Sequence, residues 1–197
     1  MLRKFIFLLA VGASGCATTE EMKERTVEYA FSPDFDLKEI RTLAVIPSVA
    51  ADTTDSLTNL LLREIRGKTY SLLIGELMKV PSFDILERKD IDRIIEELEF
   101  SHSPYAMRRN APKLGKLLGA DLVAYFSVIS VERVVYPFGE SEIGWTYRLT
   151  GSLKIVDVET GRLLYQATAV AEGTDAVEVL KGVIKRTVYP LSKRLSP

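Results

Sequence analysis

Residues 153–165 read LKIVDVETGRLLY, two apolar runs that meet at Glu159-Thr160-Gly161. That junction is a tight hairpin signal, because glycine reaches positive φ without steric penalty and runs of β-branched and large apolar residues favour extended chain. Working outward, residues 144–158 (GWTYRLTGSLKIVDV) and 162–173 (RLLYQATAVAEG) are predicted as paired strands, and 121–135 (DLVAYFSVISVERVV) as a third long strand before them. Three long consecutive strands commit this half of the chain to a sheet.

Beyond the strands, DAVEVLKGVIKRTVYPLSKRL (175–195) places Ala176, Val179, Leu180, Val183, Ile184, Thr187 and Leu191 on one helical stripe, with a kink expected at Pro190. Upstream, RTLAVIPS (41–48) is predicted as a short strand ended by Pro47, and SFDILE (82–87) as a second. Between them, residues 55–80 carry leucines and Ile65 near helical spacing, with Gly67 and Gly75 as points that could divide the run into two helices. KDIDRIIEEL (89–98) sets Ile91, Ile94, Ile95 and Leu98 on one face. APKLGKLLG (111–119) is predicted as a further helix, capped by Asn110, with Pro112 in its first turn and Gly119 at its end. The resulting order, βαβααβββα, predicts an α/β fold in which helices pack on one mixed sheet in two or three layers.

The N-terminus has a different character. Arg3 and Lys4 precede an apolar run, Phe5 to Val11, which is far shorter than the roughly 20 residues needed to span a bilayer. It reads as a signal peptide over residues 1–15. Ala13, Ser14 and Gly15 then lead into Cys16, the single cysteine of the chain. This arrangement resembles a bacterial lipobox, in which the thiol is acylated and the chain is cut before it, although Ala13 stands where leucine is usual. The other reading is ordinary signal cleavage at Gly15-Cys16-Ala17. A lipidated thiol needs no disulfide partner, which suits one cysteine in an exported chain. Residues 16–38 are polar and read as a lipidated tether that docks through Tyr29, Phe31 and Phe35, leaving 39–197 as the domain. Ala17 and Thr18 lack the aspartate of inner-membrane retention, so by resemblance to known lipoproteins the expected place is the outer membrane, facing the periplasm.

Charge and composition narrow the functions. Lys and Arg number 26 against 27 Asp and Glu, so no broad basic surface is available to neutralise phosphates and nucleic acid is not an expected partner. Catalytic machinery is not apparent. His102, the one histidine, lies in the loop-like SHSPY, and no phosphate-binding loop, dinucleotide fingerprint or zinc-protease motif occurs. The acidic pairs Glu96-Glu97 and Asp90-Asp92 suit a solvated helix better than an acid–base dyad. No catalytic residue, cofactor or metal ligand is predicted.

Four pieces in order, LAVIPS, FDILERKDIDRIIEEL, LGKLLGADLVAYFSV and LKIVDVETGRLLY, resemble the CsgG-like lipoproteins. That group contains the curli secretion channel and is related to the LpoB-type activators of penicillin-binding proteins. The resemblance covers about residues 40–190 and implies an anticodon-binding-like α/β domain, similar to the TolB N-terminal domain. The channel-forming member carries long membrane hairpins. Here the one candidate is VERVVYPFGESEIGWTYRL (131–149), with about five residues per arm beyond the sheet, where a spanning strand needs about 9 to 11. A second hairpin has no room after AVAEG, so a pore of the curli type is not expected. Tyr136, Phe138 and Trp145 near that connection form either an aromatic patch for a partner or headgroup layer, or a cover for the sheet edge. ERKD (87–90) reads as solvated junction charge, with Asp90 placed to cap the helix after it, or else as an oligomer contact.

The function implied is a non-catalytic envelope lipoprotein, held to the membrane through Cys16. It would act with itself or another envelope protein in a secretion or surface-assembly apparatus. The alternative is a regulator that activates a cell-wall synthase.

Overall fold

Around Gly161 the hairpin closes as expected. The computed structural model of the protein describes residues 27–35, 39–50, 56–86, 104–138 and 142–195. Gly161 adopts φ +70°, and the Asp157 carboxylate accepts hydrogen bonds from the Thr160 amide and hydroxyl, both at 2.8 Å. This turn joins β5 (Glu142–Asp157) to β6 (Leu163–Gly173), and β4 (Leu122–Phe138) pairs antiparallel along the whole of β5. On the other side of β4 lie β2 (Arg41–Ala50) and then β3 (Phe83–Leu86), both parallel. A first strand, β1 (Val27–Phe31), pairs antiparallel with β6. The mixed six-stranded sheet therefore runs β1-β6-β5-β4-β2-β3.

Parallel pairing requires a crossover, which α1 (Ser56–Leu77) supplies between β2 and β3. α1 and α3 (Ala176–Leu195) cover one face, where Leu43, Leu122, Ala124, Phe126, Leu153, Ile155 and Tyr165 form the main core with Leu73, Leu77, Leu180 and Ile184. α2 (Pro104–Leu118) covers the other face through Ala111, Leu114 and Leu118, packed on Ile46, Val123, Tyr125 and Val156. Both faces of β4 are buried from Leu122 to Val128, which is why LVAYFSV is almost continuously apolar. α3 can close on the sheet because residue 151 is glycine. A Cβ there would stand 2.4 Å from Phe126 Cζ and 2.9 Å from Val183 Cγ1.

The α/β expectation holds, with several boundaries corrected. Residues assigned to the tether belong to the sheet: Val27 and Phe31 alternate toward the core, and Phe31 lies 4.8 Å from the Tyr165 ring and 4.9 Å from Phe35. Arg194 completes this clasp, its guanidinium 4.4 Å from the Phe31 ring centre. Tyr29 stays exposed. Pro47 does not end β2 but sits at a shift of register between Ile46 and Val49, where its missing N–H costs no ladder bond. α1 runs unbroken through Gly67 and Gly75, around which a Cβ would meet nothing within 4 Å, so packing elsewhere along the helix carries them. α2 starts at Pro104 rather than after Asn110, which leaves Pro112 inside the helix. Proline at a first helical position is pre-set in φ, and that signal outweighs the Asn110 cap. The helix expected over 89–98, the ERKD junction and His102 lie outside the described residues.

Candidate functional site

The two ends of the sheet are built from different chemistry. At one end the signature pieces LGAD and DVETG converge. Asp121 Oδ2 accepts from the Thr42 amide at 2.9 Å and the Thr42 hydroxyl at 2.7 Å, and the Asp121 amide donates back to Thr42 Oγ1 at 2.9 Å. Arg41 bridges Asp121 at 3.7 Å and Asp157 at 3.4 Å. Hydrogen bonds from Thr42, with the Arg41 charge, hold the Asp121 carboxyl below its ordinary value despite slight burial. Burial works against ionisation of Asp157, but bonds from Thr160 and the Arg41 charge outweigh it, and this carboxyl too is held low. Each oxygen named is occupied by a donor from this chain. The cluster ties the starts of β2 and β4 to the end of β5, and it is a clamp. Among the described residues no group of three or more His, Cys, Asp or Glu could hold a metal ion.

At the other end β4 and β5 outrun their neighbours. The β2–β4 ladder ends at Ala50 and Val128, and the last β6 pair is Gly173 with Tyr147. Beyond it, Val134–Phe138 and Glu142–Thr146 form a two-stranded arm of five residues on each side, matching the length expected from sequence. Trp145 is 45% exposed and Val135, directly opposite, is 55% exposed. The Arg133 guanidinium lies 5.0 Å from the Trp145 ring centre, so cation and ring form one amphipathic surface. At the arm's root, Glu172 Oε2 accepts from Arg148 Nε at 3.1 Å and Nη2 at 3.0 Å, and Glu172 Oε1 accepts from Thr146 at 2.9 Å. Those bonds, the Thr146 hydroxyl first, keep the Glu172 carboxyl below its ordinary value.

Of the residues singled out from sequence, Trp145 is on this arm with an exposed ring. Tyr136 and Phe138 are arm positions as well, paired with Gly144 and Glu142, one step out of phase with the Val135–Trp145 pair. Cys16 lies outside the described residues. Sequence reasoning did not find the contact of Arg133 with Trp145, nor Val135, nor the Thr146–Arg148–Glu172 root. Their signal is period-two alternation read across two strands, which needs the register. Nor did it find that β1 enters the sheet from the arm's end: Val27 is opposite Ala169, and β1 runs away from Gly173.

A family model described as "Curli production assembly/transport component CsgG" matches residues 51–185. The chain belongs to the CsgG family. The CsgG match takes in α1, β3, α2, β4, β5 and β6, and thus the whole arm and the Asp121, Asp157 and Thr160 side of the clamp, while Arg41 and Thr42 precede it. Among solved structures, the fold is similar to that of hypothetical protein CT253 from Chlamydia trachomatis, with 12% identity over 79% of this chain and 98% of that one and a TM-score of 0.52. The PelC dodecamer from Paraburkholderia phytofirmans aligns at 15% identity, 85% and 96% coverage and a TM-score of 0.47. The LpoB C-terminal domain from Escherichia coli aligns at 13% identity, 67% and 82% coverage and a TM-score of 0.40. No protein of curated function matches the chain. Among the described residues no helix is long and apolar enough to cross a membrane.

Proposed function

We propose that this CsgG-family chain is a non-catalytic envelope lipoprotein, anchored by acyl groups on Cys16. In this reading it docks through the β4–β5 arm as part of a secretion or surface-assembly apparatus. The observation that carries this reading is the shared polarity of arm and anchor. The arm projects from the same end of the sheet at which the chain enters at Val27. Ten residues, 17–26, separate Cys16 from Val27, a root-mean-square span of about 18 Å and a limit near 35 Å. Along the strands, Val27 lies about nine residues below the arm's tip, or roughly 30 Å. A tether of that length keeps Trp145, Val135 and the positions of Tyr136 and Phe138 at the headgroup layer or at a neighbour anchored beside it. Each acyl CH₂ buried contributes about 0.8 kcal/mol, so two or more chains hold the domain there.

The same measure weighs against a cell-wall synthase regulator, because with β1 counted in the sheet the tether is less than half of residues 16–38. The test is mass spectrometry of the mature chain together with cross-linking in membranes. An acylated Cys16 and a cross-link from position 135, with Trp145 kept, to lipid or an envelope protein support the proposal. An unmodified thiol, or no cross-link from the arm, overturns it.

A further inference from the structure

The sheet ends in two edge strands: among the described residues no strand lies beyond β1 on one side or β3 on the other. The Ser32 amide donates to the Leu164 carbonyl at 2.8 Å, and an antiparallel strand turns alternate residues to its neighbour. Glu28 and Ala30 therefore bond to β6, while Val27, Tyr29 and Phe31 turn their amides and carbonyls outward. At the far edge the Arg41 amide donates to the Ser82 carbonyl at 3.0 Å, so Asp84 and Leu86 bond to β2, while Phe83 and Ile85 turn theirs outward. The side chains of Val27, Phe31, Phe83 and Ile85 pack in the main core, and that of Tyr29, in phase with them, stays exposed.

Followed across the sheet, the strand directions make β1 run opposite to β3. Two copies that point their arms the same way, with their helices on the same side, bring β1 of one beside β3 of the next as an antiparallel pair. That common direction rests on the reading of arm and anchor given above. Pairing β1 with itself about a two-fold axis would point the arms apart.

We propose that this chain assembles head to tail through its sheet edges, β1 of one copy adding to β3 of another. Charge selects the register. Phe31 opposite Phe83 and Tyr29 opposite Ile85 give four backbone bonds, set Ala30 against Asp84 and Glu28 against Leu86, and give the exposed Tyr29 ring an apolar neighbour. A shift of two residues keeps four bonds, through Tyr29–Phe83 and Val27–Ile85, but sets Glu28 directly against Asp84, both exposed acids. A shift the other way brings Pro33, which has no N–H, opposite Phe83. A contact between two different edges leaves one of each free, so it repeats from copy to copy.

Disulfide trapping on whole cells producing the full chain tests this. Opposed residues of a hydrogen-bonded pair have Cα atoms about 5.5 Å apart, within reach of a disulfide. Tyr29→Cys combined with Ile85→Cys should give a ladder of linked chains, read by mass spectrometry as joined 29 and 85 peptides so that a bond to Cys16 is not counted. In that background Ala30→Glu, which faces Asp84, should slow linking by up to about fivefold, and Ala30→Lys should speed it as much. A cooperative unfolding transition shows that each variant is folded. Absence of the link in the folded double variant overturns the proposal. So does Tyr29→Cys linking to itself, which places β1 against β1, or equal linking in Val27→Cys with Ile85→Cys, which denies the register. Acylation of Cys16 is read in the same spectra: a missing acyl group with the link intact fails the anchor alone, and an acylated chain without the link fails the assembly alone.

Discussion

The two ends of the sheet face the same solvent with opposite economies of polar groups. At the clamp, Arg41, Thr42, Asp121, Asp157 and Thr160 satisfy one another, and little is left for a ligand. At the arm, two strands leave the sheet with no third strand beside them among the described residues, and Val135 and Trp145 are exposed. A polar cluster that is closed on itself specifies a fold, whereas an apolar surface left open is retained for a partner. The signature pieces LGAD and DVETG mark the first kind, and the proposed docking residues belong to the second.

Breaking the body between the two ends should cost most. Phe126→Ala removes a fully buried ring packed against Gly151 and should lower stability by about 3–5 kcal/mol in denaturant unfolding. The clamp should follow. Asp121→Ala strands the Thr42 amide and hydroxyl, and half-exposure limits the loss to about 1–2 kcal/mol. This contribution also has a pH signature. The folded carboxyl lies below its unfolded value, so its stabilisation is complete above the unfolded pKa and is lost as pH falls through the folded one. Acid titration of unfolding below about pH 4 should be flatter in Asp121→Asn than in wild type. Gly161→Ala forces a side chain into φ +70° and should cost about 1 kcal/mol, seen as a lower midpoint with unchanged slope.

The smallest effect on stability sharpens the comparison most. Trp145→Ala should change unfolding by no more than about 0.5 kcal/mol, since the ring is nearly half exposed, yet abolish cross-linking from the arm. A large loss of stability on that substitution would show that the ring covers the sheet edge instead of serving a partner.

Much of the architecture could be read from local pattern. The ETG turn, the long strands and the stripe on α3 are each written in neighbouring residues, and every stripe position named from sequence is buried. Errors arose where a distant contact decided. VEYAF looks like part of a polar tether until β6 supplies its hydrogen bonds and Tyr165 and Arg194 its packing. Gly67 and Gly75 look like breaks until α1 is held by the sheet and α3. Trp145 could be named from sequence as exposed aromatic surface, but Arg133 and Val135 could not, because cross-strand neighbours are set by register.

By itself, the sequence determined the α/β class, the succession of the long strands and the final helix, and the absence of a recognisable catalytic motif. These depend on periodicity and turn chemistry, which act over a few residues. Tertiary structure alone decided that β1 joins the sheet, that LGAD and DVETG close into one clamp, and that the arm and the entering chain share an end. Those outcomes depend on which strands lie side by side, and that is fixed by burial and hydrogen bonding between residues more than a hundred positions apart.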